Sequence, residues 1–415
     1  MPRHENMSPI LTALSPNTES DDRVRAWQIL QRPWRWHDAN QVASVEKKIS
    51  ALFNHLPAVT VSSGRRAMSY VLEAFDIGQG DEVIIQAFTC LAVPAAVMWT
   101  GAKPIYADIE ETTFNFDVVD ISRKLTPRTK AIIIQHTFGI PGPLATLQVL
   151  AAKNNIILIE DCAHALGATY NTAPVGTQSD AAILSFGRDK ALSSVFGGAV
   201  VSRHPHIIAR IRTIQTALPY PPAWWIIQQL LHPLFLAVIK PLYFSASIGK
   251  IILVILQRLS ILSLAVTRSE RVGAQPNHAR WRYSPALAYL LAQQLDKLER
   301  FTAHRRKIAA TYARALSYSP SFPPAAQPSW LRFPVVVTDR AAAVAAARAA
   351  HIMLGDWYQD VIMPTVEKSQ INYHPGSCPR AESIATKIIN LPTYPALTTN
   401  QAEWISKIVA PYVRH

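Results

Sequence analysis

A chain of 415 residues is too long for one small core, so two domains are the natural expectation. With 49% hydrophobic and 17% charged residues it belongs with globular proteins, which excludes a disordered chain. A net charge of +13 favours anionic partners, either phosphorylated or nucleotide-bearing small molecules or an acidic membrane surface; nucleic acid fits least, because zinc spacing, an RNP-like motif and a long basic run interleaved with aromatics are all missing.

Taken in chain order, residues 1–44 read as a polar, mobile N-terminal lead-in. They lack the apolar run of a secretory signal, and Cys90, Cys162 and Cys378 are too few and too scattered for a disulfide framework. Both features lead us to expect a reducing, cytoplasmic setting. From 45 to 215 helical and strand patterns alternate. Helices are expected at Val45–Leu56, Arg66–Phe75, Leu91–Trp99 and Leu144–Asn154. Strands are expected at Glu82–Ile85, Pro104–Asp108, Ala131–Gln135, Ile156–Asp161 and Ala181–Phe186. Short apolar strands separated by helices predict an α/β fold with a mostly parallel sheet covered on both faces. Ligands of such sheets sit beyond the carboxyl ends of the strands.

Residues 216–275 read as an apolar helical insert, with strong runs at Trp224–Ile239 and Ile251–Val266. Residues 276–415 read as a smaller C-terminal α/β domain. It opens on one long amphipathic helix, Pro285–Tyr312, followed by a strand at Arg332–Thr338 and a helix at Ala341–Ala350. Helices at Cys378–Ile388 and Thr399–Val409 close it.

The candidate chemistry lies at strand ends. Asp161 ends one apolar strand, and Lys190 follows the next by a few residues. A strand-end carboxylate and a lysine are the two protein groups that pyridoxal 5'-phosphate (PLP) needs: one keeps the pyridine nitrogen protonated, the other forms a Schiff base with the aldehyde. Taken alone, each has an ordinary reading as a helix cap, a salt-bridge partner or a solvated surface group. Ser63-Gly64-Arg65 sits at a strand end and a helix start, which suits either a phosphate or a plain N-cap. Phe88 follows a strand, where it would stack on a flat cofactor or pack in the core. Ala163 and His164 follow Asp161, and Ser185 precedes Lys190.

In this order the segments resemble the DegT/DnrJ/EryC1/StrS sugar aminotransferases, which are fold-type I PLP enzymes. The likeness is carried by Gly80-Asp81-Glu82-Val83-Ile84, Gly101–Ile109, His136-Thr137-Phe138-Gly139, Ile159–His164, Ser185-Phe186, Lys190, Gly197-Gly198 and Asn390–Pro395. It implies a seven-stranded-type sheet in a large domain plus a smaller one. Lys190 would be the Schiff-base lysine and the proton-moving base, and Asp161 the partner of the pyridine nitrogen. Ser63, Gly64, Arg65 and Ser185 would hold the phosphate. Phe88 would cover one ring face, with Ala163 and His164 supporting the other. The resemblance further implies a homodimer that passes an amino group, usually from glutamate, to a nucleotide-linked ketosugar, with no metal.

The chain departs from the family pattern at Val195-Phe196, where Gly-Glu is common, and at Arg280, where an asparagine is expected. The apolar insert is a further departure. A dehydratase-like enzyme and a non-catalytic, membrane-associated homologue therefore remain as alternatives; a lysine at 190 argues for transamination. For residues 222–266 we expect shallow membrane contact or dimer packing in preference to a span. Sixteen residues of helix reach about 24 Å, short of a hydrocarbon core of about 30 Å.

Overall fold

The computed structural model describes residues 9–414 apart from 246, 265, 268, 269 and 271–273. Seven strands form the central sheet: β1 (Ala58–Val61), β2 (Glu82–Gln86), β3 (Lys103–Ala107), β4 (Thr129–Gln135), β5 (Ile157–Asp161), β6 (Ala181–Ser185) and β7 (Gly198–Ser202). Their order is β1-β7-β6-β5-β4-β2-β3. The contacts from β6 through β5, β4 and β2 to β3 are parallel, while β7 runs antiparallel to both of its neighbours. Most strand residues are buried, as the continuous Ile/Val/Ala runs require of a sheet covered on both faces.

The covering helices are α1 (Ser20–Leu30), α2 (Ala39–Leu52), α3 (Gly64–Ala74), α4 (Ala92–Met98), α5 (Val118–Lys124), α6 (Leu144–Asn154) and α7 (Pro205–Thr216). Several begin on a side-chain cap. Ser63 Oγ accepts the Arg66 N–H at 3.2 Å, and Asp117 Oδ1 accepts that of Val119 at 2.9 Å. The sheet, helices and topology are those of the fold-type I α/β class that the sequence led us to expect.

Four expectations need correction. The lead-in is not featureless. From residue 9 on it carries α1 and forms a strap in which Ile10–Leu11 pairs with Ile352–Met353. The single helix expected over Pro285–Tyr312 is two, Pro285–Leu295 and Leu298–Leu316. The break falls at Asp296-Lys297, where Lys297 Nζ reaches Asp21 at 2.6 Å and Asp22 at 3.0 Å beside α1. Among the described residues of the insert's second apolar run, the helix covers Ile248–Arg258 and stops short of Val266. Ser260, at φ 56, takes a left-handed conformation that ends the helix. Finally, Cys378–Ile388 is a short helix, Pro379–Ala385, and its last residue opens a strand, Ile388–Pro392. This β-branched stretch pairs antiparallel with Arg332–Val336, from Arg332 opposite Pro392 to Val336 opposite Ile388.

The insert's two helices are α8 (Ala223–Ile239) and α9 (Ile248–Arg258). No helix among the described residues is long and apolar enough to cross a membrane.

Candidate functional site

A cavity of about 450 Å³ opens beyond the carboxyl ends of the parallel strands. Eight of the nine residues singled out from the sequence line it: Ser63, Gly64, Arg65, Asp161, Ala163, His164, Ser185 and Lys190. Element ends and the loops after them deliver them. Asp161 is the last residue of β5, Ser185 is the last of β6, and Gly64 is the first residue of α3.

The Asp161 carboxylate is fixed by one hydrogen bond, from the Ala163 N–H to Oδ1 at 2.9 Å. Burial raises its pKa, while that hydrogen bond, Lys190 and His136 pull the other way. Beneath it, His136 and Glu160 support the strand end. His136 Nε2 lies 3.0 Å from Glu160 Oε2, and His136 Nδ1 accepts the Gly142 N–H at 3.0 Å. Both ring nitrogens are thus engaged within the fold.

Lys190 is partly buried in the cavity wall. Burial lowers its pKa, Arg332 adds to the effect, and Cys90, Asp161 and Asp189 oppose it. The lysine loop is held from the N-terminal strap: Asn17 donates to the Lys190 carbonyl, and Ser15 N–H donates to Asp189 at 3.1 Å. Arg305 secures Asn17 in turn, at 2.8 Å.

The Ser63-Gly64 turn meets Ser185 at close range. A Cβ on Gly64 would stand 2.8 Å from Ser185 Cβ, so the glycine is what allows the helix N-terminus and the Ser185 hydroxyl to share one wall. On the other side of the turn, a Cβ on Gly198 would stand 2.5 Å from the Ser63 carbonyl carbon. The first turn of α3 starts in the cavity wall beside the Ser185 hydroxyl, and a helix N-terminus next to a hydroxyl suits a phosphate. The Arg65 guanidinium pairs with Glu270, which brings the tail of the insert, with Leu264 and Val266, into the cavity wall.

His164 is buried and neutral. Burial, then Lys190 and Arg332, hold its pKa well below the usual imidazole value. Its ring stacks on Trp357 with centroids 4.7 Å apart and planes at 7°. The Trp357 ring is also covered by the Arg332 guanidinium at 3.6 Å and lies 5.1 Å from Lys190 Nζ.

Phe88 is the exception. It is fully buried, packs against Phe114, Phe138 and Tyr358, and does not line the cavity. Its backbone at φ 64 turns the ring into the core, and Cys90, two residues on, faces the cavity. Stacking by Phe88 on a cofactor is therefore not what this geometry offers; Trp357 is the aromatic group in the cavity that Lys190 approaches. Sequence reasoning missed Trp357, Tyr358, Gln135, Arg188 and Glu270, all of which line the cavity. Trp357-Tyr358 lies in an irregular stretch with no periodicity to mark it. Val195 and Phe196 are in the wall, whereas Arg280 is exposed and outside it.

The sequence pattern of the DegT/DnrJ/EryC1/StrS aminotransferase family matches residues 16–217 and 278–410. The chain belongs to that family. Its relatives include the pleiotropic regulatory protein of Geobacillus stearothermophilus, 25% identical over 400 residues and 94% of each chain. GDP-perosamine synthase of Escherichia coli O157:H7 is 35% identical over 188 residues, 45% of this chain and 51% of that one. The chain thus spans about half the length of the sugar aminotransferases it matches at this higher identity. Among solved structures, DesV of S. venezuelae superposes with a TM-score of 0.75 at 24% identity, covering 97% of this chain and 98% of that one, which shows a shared fold. The family's cofactor is PLP, and the residues present fit it: a lysine in the cavity wall, a buried strand-end carboxylate in the same cavity, and a phosphate receptor that a single Cβ at position 64 would obstruct.

Proposed function

We propose that this protein is a homodimeric PLP-dependent aminotransferase. It moves an amino group from an amino-acid donor, glutamate first among them, to the keto carbon of a nucleotide-linked sugar in polysaccharide or glycoconjugate biosynthesis. The observation that carries the reading is that Lys190 and the buried Asp161 share one cavity beyond the strand ends, with Lys190 Nζ 5.1 Å from the Trp357 ring.

When bound, PLP supplies an electron sink for the carbon that gives up its proton. The rest falls to the chain. Lys190, its pKa lowered by burial, has a larger neutral fraction than a surface lysine, which suits a nucleophile and a base that takes and returns a proton. Asp161, oriented by Ala163, would hold a proton on the pyridine nitrogen. Ser185 and the Ser63-Gly64 N-terminus of α3 would hold the phosphate, with Arg65 placed beside them through Glu270. Ala163, His164 and Trp357 would bound the ring, with His164 held in place by the Phe138 N–H to Nδ1 at 3.4 Å and the Tyr358 hydroxyl 3.5 Å from Nε2. The basic excess of the chain suits a diphosphate-bearing acceptor and a dicarboxylate donor.

A dehydratase-like enzyme gains no support from a cavity built around lysine. A non-catalytic homologue is favoured by one observation, the regulatory name of the relative matched over 94% of its length; the intact Lys190, Asp161 and Ser185 set weighs against it. With this reading goes a peripheral membrane contact through residues 222–266, of the kind that lies on a surface without crossing it.

The test is incubation of the PLP-loaded protein with glutamate and a panel of nucleotide-linked ketosugars, with mass spectrometry of the sugar product. An amino sugar that forms only with Lys190 intact supports the proposal. Conversion of glutamate with no amination of any sugar in the panel would move the acceptor to another class.

A further inference from the structure

The family pattern stops at residue 217 and resumes at 278, so α8, α9 and the tail after them lie outside the matched segments. Helix α9 is apolar on two faces. Inward, Ile252, Leu253 and Leu256 pack against Leu236 and Ile239 of α8 and against Leu262. Outward, Ile248, Ile251, Val254, Ile255 and Leu259 are 46%, 54%, 38%, 49% and 64% exposed. Positions 248, 251, 255 and 259 fall at three- and four-residue steps and so line one side of the helix. Nine of the fifteen large apolar side chains exposed among the described residues lie between Trp224 and Leu264, a tenth of the chain. The five on α9 and its C-cap form one stripe, where scattered single residues would need no explanation.

Charge identifies what covers it. No aspartate or glutamate occurs between Asp189 and Glu270, and Lys250 and Arg258 are exposed on α9 itself. A second copy meeting this face across a two-fold axis would present the same patch to itself, setting cations against cations with no carboxylate from the segment to pair them. A bilayer rich in anionic lipid meets both needs, with acyl chains for the aliphatic face and headgroups for the two cations.

We infer that the outer face of α9 docks in the plane of an anionic lipid surface through Ile248, Ile251, Val254, Ile255 and Leu259, with Lys250 and Arg258 at the headgroups. At eleven residues, about 16 Å long, the helix lies on the surface and does not pass through it. The inference rests on reading 222–266 as a membrane contact and is independent of the catalytic assignment.

The test is flotation of the full-length protein with vesicles of phosphatidylcholine alone and of equal parts phosphatidylcholine and phosphatidylglycerol. We expect about tenfold or more protein with the anionic vesicles, and loss of that excess in Ile251→Asn/Ile255→Asn. The charge-reversed Lys250→Glu/Arg258→Glu, which touches only exposed positions, should lose the preference for phosphatidylglycerol even if the apolar pair folds poorly by circular dichroism. Sedimentation velocity on the same variants reports the competing occupant. Flotation equal on both vesicle types, flotation unchanged in the charge-reversed protein, or a dimer that falls to monomer in the folded Ile251→Asn/Ile255→Asn protein would overturn the inference. Because flotation needs no cofactor, its failure is distinguishable from failure of the aminotransferase reading.

Discussion

Replacing Gly64 with alanine discriminates sharply, because two effects of opposite sign meet there. Gly64 opens α3, and a helical glycine changed to alanine ordinarily gains about 0.5–1 kcal/mol in stability. Here the new Cβ would stand 2.8 Å from Ser185 Cβ and 3.0 Å from its Oγ. Carbons in contact settle at about 3.5–4.0 Å, so the helix start and the end of β6 must part by about 0.7 Å. Both elements are packed in the core, and overpacking of this kind costs about 1–3 kcal/mol, which outweighs the helical gain. Separation also pulls the Ser185 hydroxyl away from the N–H groups of the turn. Losing one hydrogen bond to a charged phosphate, worth about 1.5–3 kcal/mol, weakens PLP binding by about 10- to 100-fold. Chemical denaturation of the cofactor-free protein and a PLP titration by absorbance read the two effects separately. A Gly64→Ala protein that is more stable than wild type and binds PLP equally well would refute the reasoning.

Other substitutions and conditions test neighbouring parts of the account. Phe88→Leu should cost about 1–2 kcal/mol in denaturation, because it removes ring contacts with Phe114, Phe138 and Tyr358, while leaving PLP affinity unchanged; a large loss of affinity would return Phe88 to the cofactor. Acid should destabilise the fold below pH 6.5. His164, His232 and His278 are buried with pKa values below the ordinary imidazole value, that of His278 at about 3, all through burial first. The unfolded chain therefore takes up protons first as the pH falls through 6.5, and stability drops by about 1.4 kcal/mol per pH unit for each histidine until its folded pKa is reached. Denaturation midpoints that stay flat from pH 7 to pH 5 would contradict this.

Much of the large domain was legible because its strands are short apolar runs and its site residues sit where those runs stop. Asp161 and Ser185 could be placed at strand ends from composition alone, and Ser63-Gly64 at a helix start from its capping chemistry. What escaped depends on backbone turns and distant partners. The side of the sheet that Phe88 faces is decided by a positive φ that no periodicity announces. Helix α1, Ser-Asp-Asp-Arg-Val-Arg-Ala-Trp-Gln-Ile-Leu, looks like solvated chain because its first six residues are polar apart from Val24. It is held by polar contacts with residues more than 250 positions away, Gln294 to Asp22 at 2.7 Å and Lys297 to Asp21 at 2.6 Å. Trp357 reaches the cavity from a stretch with neither helical nor strand pattern. The insert was recognisable as apolar, but its role as part of the cavity wall follows from the Arg65–Glu270 pair, which links positions far apart in sequence.

The central claim, that Lys190 carries PLP in a cavity shared with Asp161, is tested most directly by the visible absorbance of purified protein with added PLP, before and after glutamate. Wild type should show a band from lysine-bound cofactor that glutamate bleaches, and Lys190→Ala should show no such band. A wild-type protein that shows no band, or a Lys190→Ala protein that keeps it, would contradict the claim.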